Sequence, residues 1–234
     1  MVMIGTFDLD KKPAIVSVID DDPAESAKAA KWLGADILEL RLDLLNFSDF
    51  GEAKKTIERI KVNTNLPCIA TNRLQSDGGK WTGSEEERIA LLTDVLPFIE
   101  AVDIELSADE KQRSKFISAA KAAGVTVIVS AHDFNATPSI ENMKIILNCA
   151  HEAGADIAKL AVMAQSRQDV LNVLQATADM DKPVCTIAMG ELGKHSRIVA
   201  PCYGSRLTYG AITKAVAPGQ IKIHELKSAL EILF

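Results

Sequence analysis

No C-x-x-C spacing joins any two of the four cysteines, Cys68, Cys149, Cys185 and Cys202, so neither a zinc knuckle nor a dithiol redox motif is written into the chain. Free thiols in a reducing compartment are the reading that spacing leaves. The four histidines show neither H-x-H nor H-E-x-x-H spacing, which argues against a metal-dependent hydrolase. No stretch approaches the ~20 apolar residues a membrane span needs, and the start, MVMIGTFDLDKK, lacks a positive segment leading into an apolar run. The expectation is an unprocessed, soluble, cytoplasmic protein. The net charge is -6 and the pI near 5.3; standing attraction to nucleic acid or anionic membrane, which needs clustered cations, is therefore not expected. An anionic ligand would have to be held by a local group of Arg or Lys.

What is present is a repeat. Short apolar runs at 14–19, 36–43, 66–73, 101–106, 125–132, 156–163, 183–188 and 205–210 alternate with longer stretches of helical periodicity, the pattern of βαβ units on a parallel sheet. Helix starts are marked by Asp22-Pro23 with Glu25, Ser84 with Glu87, Ser107 with Glu110, and Thr137-Pro138, each offering a cap for orphan N–H groups or a proline at the first turn. Eight units at roughly 29 residues each match a (β/α)8 TIM barrel with short loops. An open doubly wound sheet is the alternative, although no G-x-G-x-x-G turn follows the first run. With no linker, low-complexity tract or change of composition, residues 1–234 read as one catalytic barrel domain, and 223–233 as the helix closing the eighth unit.

Parallel strands are covered on both faces and should be almost wholly apolar. In ILELRLDLL they are not: period-two alternation sets Leu38, Leu40 and Leu42 against Glu39, Arg41 and Asp43. If the leucines pack under helices, the three charges face the barrel interior or its mouth. Arg73, Asp103, Glu105, His132 and Lys159 stand at or near the ends of other runs. Buried charges cost several kcal/mol each unless paired, so this many imply a compensating network around a cavity, at the end of a barrel where active sites sit. Lys159, among Ile157, Ala158, Leu160 and Ala161, is expected to be desolvated; with Arg41 or Arg73 nearby its pKa should fall toward roughly 7 to 8, freeing a nucleophilic amine. His132 in SAHDF is the matching general acid/base. A Schiff-base enzyme, a class I aldolase with a phosphate site near strands seven and eight, and a barrel that merely binds an anion all remain compatible with these residues.

Seven segments, ELRLD (39–43), TNRLQSDGG (71–79), VDIEL (102–106), SAHDF (130–134), ADIAKLAVM (155–163), MGELGKHSR (189–197) and APGQI (217–221), occur in an order that resembles the type I 3-dehydroquinate dehydratases over nearly the whole chain. That resemblance implies dehydration of 3-dehydroquinate without metal or other cofactor, by an imine on Lys159 with His132 moving protons. It further implies that Arg197 holds the substrate carboxylate, that Ser17, Glu39, Arg41, Arg73 and Gln220 meet the rest of the substrate, that Asp77 and Asp103 orient His132 or balance charge, and that the chain forms a homodimer. Two positions depart from the family pattern. Asp77 replaces a glutamate, so a water bridge to His132 is expected; Val216 replaces a lid serine, so a weaker hold on substrate is expected.

Overall fold

A computed structural model of the chain describes residues 1–45, 47 and 49–234. The eight apolar runs form eight parallel strands, β1 (Ala14–Ile19), β2 (Ile37–Arg41), β3 (Cys68–Thr71), β4 (Ala101–Glu105), β5 (Thr126–Asp133), β6 (Ile157–Met163), β7 (Val184–Met189) and β8 (Leu207–Ala211), each paired with its sequence neighbour and β8 with β1. Between them run α1 (Pro23–Leu33), α2 (Phe50–Thr64), α3 (Glu85–Val95), α4 (Glu110–Ala122), α5 (Ile140–Glu152) and α6 (Arg167–Ala178), and α7 (Ile223–Leu233) follows β8. The ring closes lightly between β7 and β8. There a single bridge joins Val184 to Ser205, supported by a 2.7 Å bond from the Arg206 N–H to the Val184 carbonyl. No helix among the described residues is long and apolar enough to cross a membrane.

Strand alternation divides the apolar residues into two layers. Leu38, Leu40, Val102, Ile104, Val127, Val129, Leu160 and Val162 pack outward under the helices, while Val16, Ile37, Ile69, Ala101, Ile128, Ile157 and Leu207 fill the barrel interior. Two residues further along six of those strands, the inward position turns polar: Ile37 gives way to Glu39, Ile69 to Thr71, Ala101 to Asp103, Ile128 to Ser130, Ile157 to Lys159 and Leu207 to Tyr209. An aliphatic plug thus underlies a polar ring, and burying each large aliphatic side chain of the plug contributes about 1.5–3 kcal/mol. An N-terminal hairpin, Met3–Ile4 with Phe7–Asp8, seals the lower end by inserting Ile4 and Leu9 into the same interior layer.

The local punctuation differs from expectation in three places. Ser84 and Glu87 do form a capping box, but α4 is capped by Asp109 and α5 by Ser139. The Ser107 hydroxyl instead donates to Asp77 at 2.8 Å, and Thr137 to the Met163 carbonyl at 2.8 Å. Asp43 is not an inward strand residue: the chain leaves β2 for a helical turn, Leu42–Leu45, which swings the Asp43 carboxylate back onto Arg41.

Candidate active site

The polar ring opens into a cavity of about 640 Å³, open mouth included, whose walls carry Glu39, Arg41, Arg73, Asp77, His132, Lys159, Arg197 and Gln220. Eight of the ten residues singled out in the sequence are therefore gathered in one place. Asp103 lies just beneath, fully buried, in contact with the lysine. Ser17 does not reach the cavity. On β1 it alternates with Val16 and Val18, which face inward, and so points outward with Ile15 and Ile19; its hydroxyl is buried without a partner among the described residues.

Lys159 is 5 % exposed. Its Nζ donates to Asp103 Oδ2 at 2.8 Å and to the Tyr209 hydroxyl at 3.0 Å, and lies 3.5 Å from Glu39 Oε1. Burial alone would lower its pKa, but the carboxylates of Asp103 and Glu39 outweigh burial and hold it above the ordinary lysine value. This corrects the expected lowering. The nearby arginines are themselves neutralised: Arg41 by a two-pronged pair with Asp43 at 2.8 and 2.7 Å, Arg73 by Asp103 at 2.8 Å and Glu105 at 2.9 Å. The two carboxylates at 2.8 and 3.5 Å favour the ammonium form of the lysine.

His132 is neutral for the opposite reason. Burial, then the Arg73 charge, push its pKa down to about 4 against the pull of Asp77. Its Nδ1 meets Asp77 Oδ1 directly at 3.3 Å, so no bridging water is needed. The shorter side chain reaches because the turn Gln75–Asp77 lifts the carboxylate to the mouth, where Ser107 and Ser76 also donate to it. With Nδ1 so engaged, Nε2 is the nitrogen left for proton transfer, and the imidazole stacks on Phe134 at a 12° interplanar angle.

Arg197, 2 % exposed, stands apart from the other cations because it has no acidic partner among the described residues. Its guanidinium donates to the carbonyls of Gly219 at 2.9 Å, Pro218 at 3.0 Å and Tyr209 at 3.4 Å. Burial lowers its pKa to about 10, still leaving it charged at neutral pH. It is carried by the short helix Ser196–Val199 in the crossover from β7 to β8, fixed by a 2.6 Å bond from Thr208 Oγ1 to its own carbonyl. The segment it grips needs glycine: Gly219 has φ +73°, and a Cβ there would fall 2.4 Å from the Gly190 carbonyl oxygen. Gln220 folds its side-chain carbonyl under the N–H of Val216 at 2.6 Å and Ala217 at 3.3 Å, which leaves its amide NH2 as the group able to donate toward the cavity.

Three contributors went unassigned in the sequence. Tyr209 was signalled only by being the inward residue after Leu207. Glu105 was recognised as a charge without a role; it bridges Arg73 and the fully buried Arg88, at 2.9 and 2.7 Å. Arg88 itself shares the buried stripe of α3 with Leu92 and Val95, a spacing of four and then three residues that put it on the core face.

An α/β barrel with its ionisable side chains gathered at the carboxyl ends of the strands is the layout of the barrel enzymes. The model of the family described as type I 3-dehydroquinase matches residues 15–234. A 3-dehydroquinate dehydratase of Methanococcoides burtonii is 54% identical over 233 residues, covering 100% of both chains. Among solved structures, a 3-dehydroquinate dehydratase from Geobacillus kaustophilus superimposes with a TM-score of 0.89 at 30% identity, over 95% of this chain and 91% of that one. A type I enzyme from Clostridium difficile, solved with covalently modified comenic acid, does so with a TM-score of 0.88 at 32% identity, over 95% and 92%. The chain belongs to the type I 3-dehydroquinase family, and it is an enzyme of that type.

Proposed function

We propose that the chain removes water from 3-dehydroquinate to give 3-dehydroshikimate, a step of the shikimate pathway, through an imine between Lys159 and the substrate ketone, with His132 moving the protons. The observation that carries this reading is the opening of a buried amine, a neutral imidazole and an unpaired guanidinium into one cavity. Arg197 takes the substrate carboxylate, for which a planar fork of donors is suited. Glu39, Arg41, Arg73 and the Gln220 amide meet its hydroxyls. Asp77 keeps the imidazole oriented, and Asp103 balances the charge of Lys159. Family membership also leads us to propose a homodimer working in the cytoplasm.

The chemistry starts from the ammonium. His132, neutral near pH 7, accepts one proton from Lys159, and the freed nitrogen lone pair attacks the ketone carbon. Once a carbinolamine has formed, the imidazolium returns its proton to the hydroxyl, which leaves as water and generates a protonated imine. That cation is an electron sink, so the adjacent C–H becomes acidic enough for a modest base. The imidazole removes this proton and the electron pair moves toward nitrogen as an enamine. The pair then returns to expel the β-hydroxyl, which takes the proton back from His132 and departs as water. Hydrolysis of the conjugated imine by a second water releases product and restores the ammonium.

Borohydride added during turnover tests the reading. A reduced adduct should appear by intact-mass measurement and map to the peptide bearing Lys159, and Lys159→Ala should give neither adduct nor product. An active wild-type enzyme that is never trapped would refute the imine.

A further inference from the structure

Resting on that imine reading, we propose that the Tyr209 phenol is a catalytic residue that relays a proton from the lysine nitrogen to the ketone oxygen as the carbon–nitrogen bond forms. Tyr209 is the inward residue of β8 after Leu207, and its ring forms part of the cavity wall. The phenol oxygen stands 3.0 Å from Nζ, whose N–H it accepts, and the ring centroid lies 4.4 Å from the same nitrogen. No acceptor among the described residues receives the phenol's own proton, so that hydrogen is free to point into the cavity, beside the atom Nζ attacks.

Of the groups bracketing Nζ, Tyr209 alone can give and receive a proton at once. Asp103 and Glu39, as carboxylates, only accept. Burial, followed by the Glu39 charge, raises the Tyr209 pKa above its ordinary value, so the phenol is protonated when substrate arrives. Attack forms the N–C bond while the C=O π pair moves to oxygen, leaving positive nitrogen and negative oxygen. The phenol gives its proton to that oxygen and takes one from nitrogen. A neutral carbinolamine results, the phenol is regenerated and no co-reactant is consumed. His132 is thereby left to deliver the proton that expels water in the next step.

The test times imine formation with 3-dehydroshikimate, which condenses with the same lysine without elimination. Wild type and Tyr209→Phe are mixed with it, quenched with borohydride from milliseconds onward, and the adduct fraction is read by intact mass. A relay of this kind contributes about 100-fold or more. The expected result is a rate of adduct formation reduced by that factor in Tyr209→Phe, with an unchanged end point. Trapping of Tyr209→Phe at the wild-type rate would overturn the relay but leave the Lys159 imine standing; absence of an adduct in wild type would overturn both. A second measurement retains the hydroxyl. The chain has only two tyrosines, and Tyr203 is exposed and outside the cavity, so fluorotyrosine introduced into Tyr203→Phe reports on Tyr209 alone. A trapping rate that changes with phenol acidity supports the relay, and one indifferent to fluorination overturns it.

Discussion

Arg88→Met keeps an aliphatic stem on the buried face of α3 and deletes the guanidinium, and its effect can be worked from the bonds it removes. Arg88 Nη1 donates to Glu105 Oε2 at 2.7 Å and to the Asn72 carbonyl at 2.6 Å, while Nε and Nη2 clasp Glu85 at 2.7 and 2.8 Å. Glu85 lies at the rim and can be rehydrated. Glu105 is fully buried, and after the change its carboxylate keeps only Arg73 and the Leu74 N–H, with Oε2 unpaired. Breaking a buried pair from one side costs about 3–5 kcal/mol, which for a chain of this length is a fall in Tm of about 6 to 20 °C. Because Glu105 also positions Arg73, and Arg73 positions Asp103 beside Lys159, kcat/KM should fall although Arg88 does not line the cavity. Urea and thermal unfolding of Arg88→Met, Glu105→Gln and the double variant form the assay. The double variant should be more stable than the sum of the two losses, since an amide at 105 can serve Arg73 and Leu74 without needing Arg88. A single-variant loss below about 1 kcal/mol, or strict additivity in the double, would refute the reasoning.

His132 supplies a pH prediction with a definite sign. Its pKa is about 4 in the folded chain against 6.5 ordinarily, so the base is available at neutral pH and kcat/KM should fall only as pH drops through about 4; an acid limb near 6.5 would contradict this. Between those values the unfolded chain binds the proton and the folded chain does not, so stability falls with acid, by up to about 3 kcal/mol, and His132→Asn should flatten that slope in unfolding titrations from pH 7 to 4. Val216→Ser adds a hydroxyl at a half-buried position whose backbone N–H is already committed to Gln220; KM should fall with kcat little changed, and an unaltered KM would count against any lid contact at 216.

The barrel was legible because eight short apolar runs alternate with stretches of helical periodicity, and the charges interrupting those runs in ELRLD, VDIEL and IAKLAV marked the mouth. What alternation alone leaves open is its phase at a short strand. Ser17 sits amid AIVSVI with hydrophobic neighbours on both sides, and only the interior packing of Val16 and Val18 fixes it as outward. The charge state of Lys159 is hidden in the sequence for a related reason. Arg41, Arg73, Glu39 and Asp103 were all visible as inward groups, but their pairing depends on distances: Asp103 reaches both Arg73 and Lys159 at 2.8 Å, and Asp43 is turned back onto Arg41 by a helical turn. Arg88 escaped because a charge on a helix reads as solvent-facing unless its spacing to Leu92 and Val95 is weighed.

Taken in sequence along the site, the cations divide by what faces them. Arg41, Arg73, Arg88 and Lys159 each have a carboxylate within 2.8 Å, so their charges are compensated whether or not a ligand is present. Among the described residues Arg197 has only backbone carbonyls as partners, two of them from Pro218 and Gly219 just before Gln220. A buried guanidinium without a counter-charge is a standing cost in the free protein, removed when an anion enters. If Arg197 takes the substrate carboxylate as proposed, the binding energy is concentrated at the residue that also holds the Pro218–Gly219 segment. An anion drawn to Arg197 would meet the Gln220 amide from the same segment, in the cavity that Lys159 also lines. Replacing Arg197 by a lysine, a single point donor with no fork, would have to choose between holding the segment and holding the ligand; that division of labour is what five donors in one plane avoid.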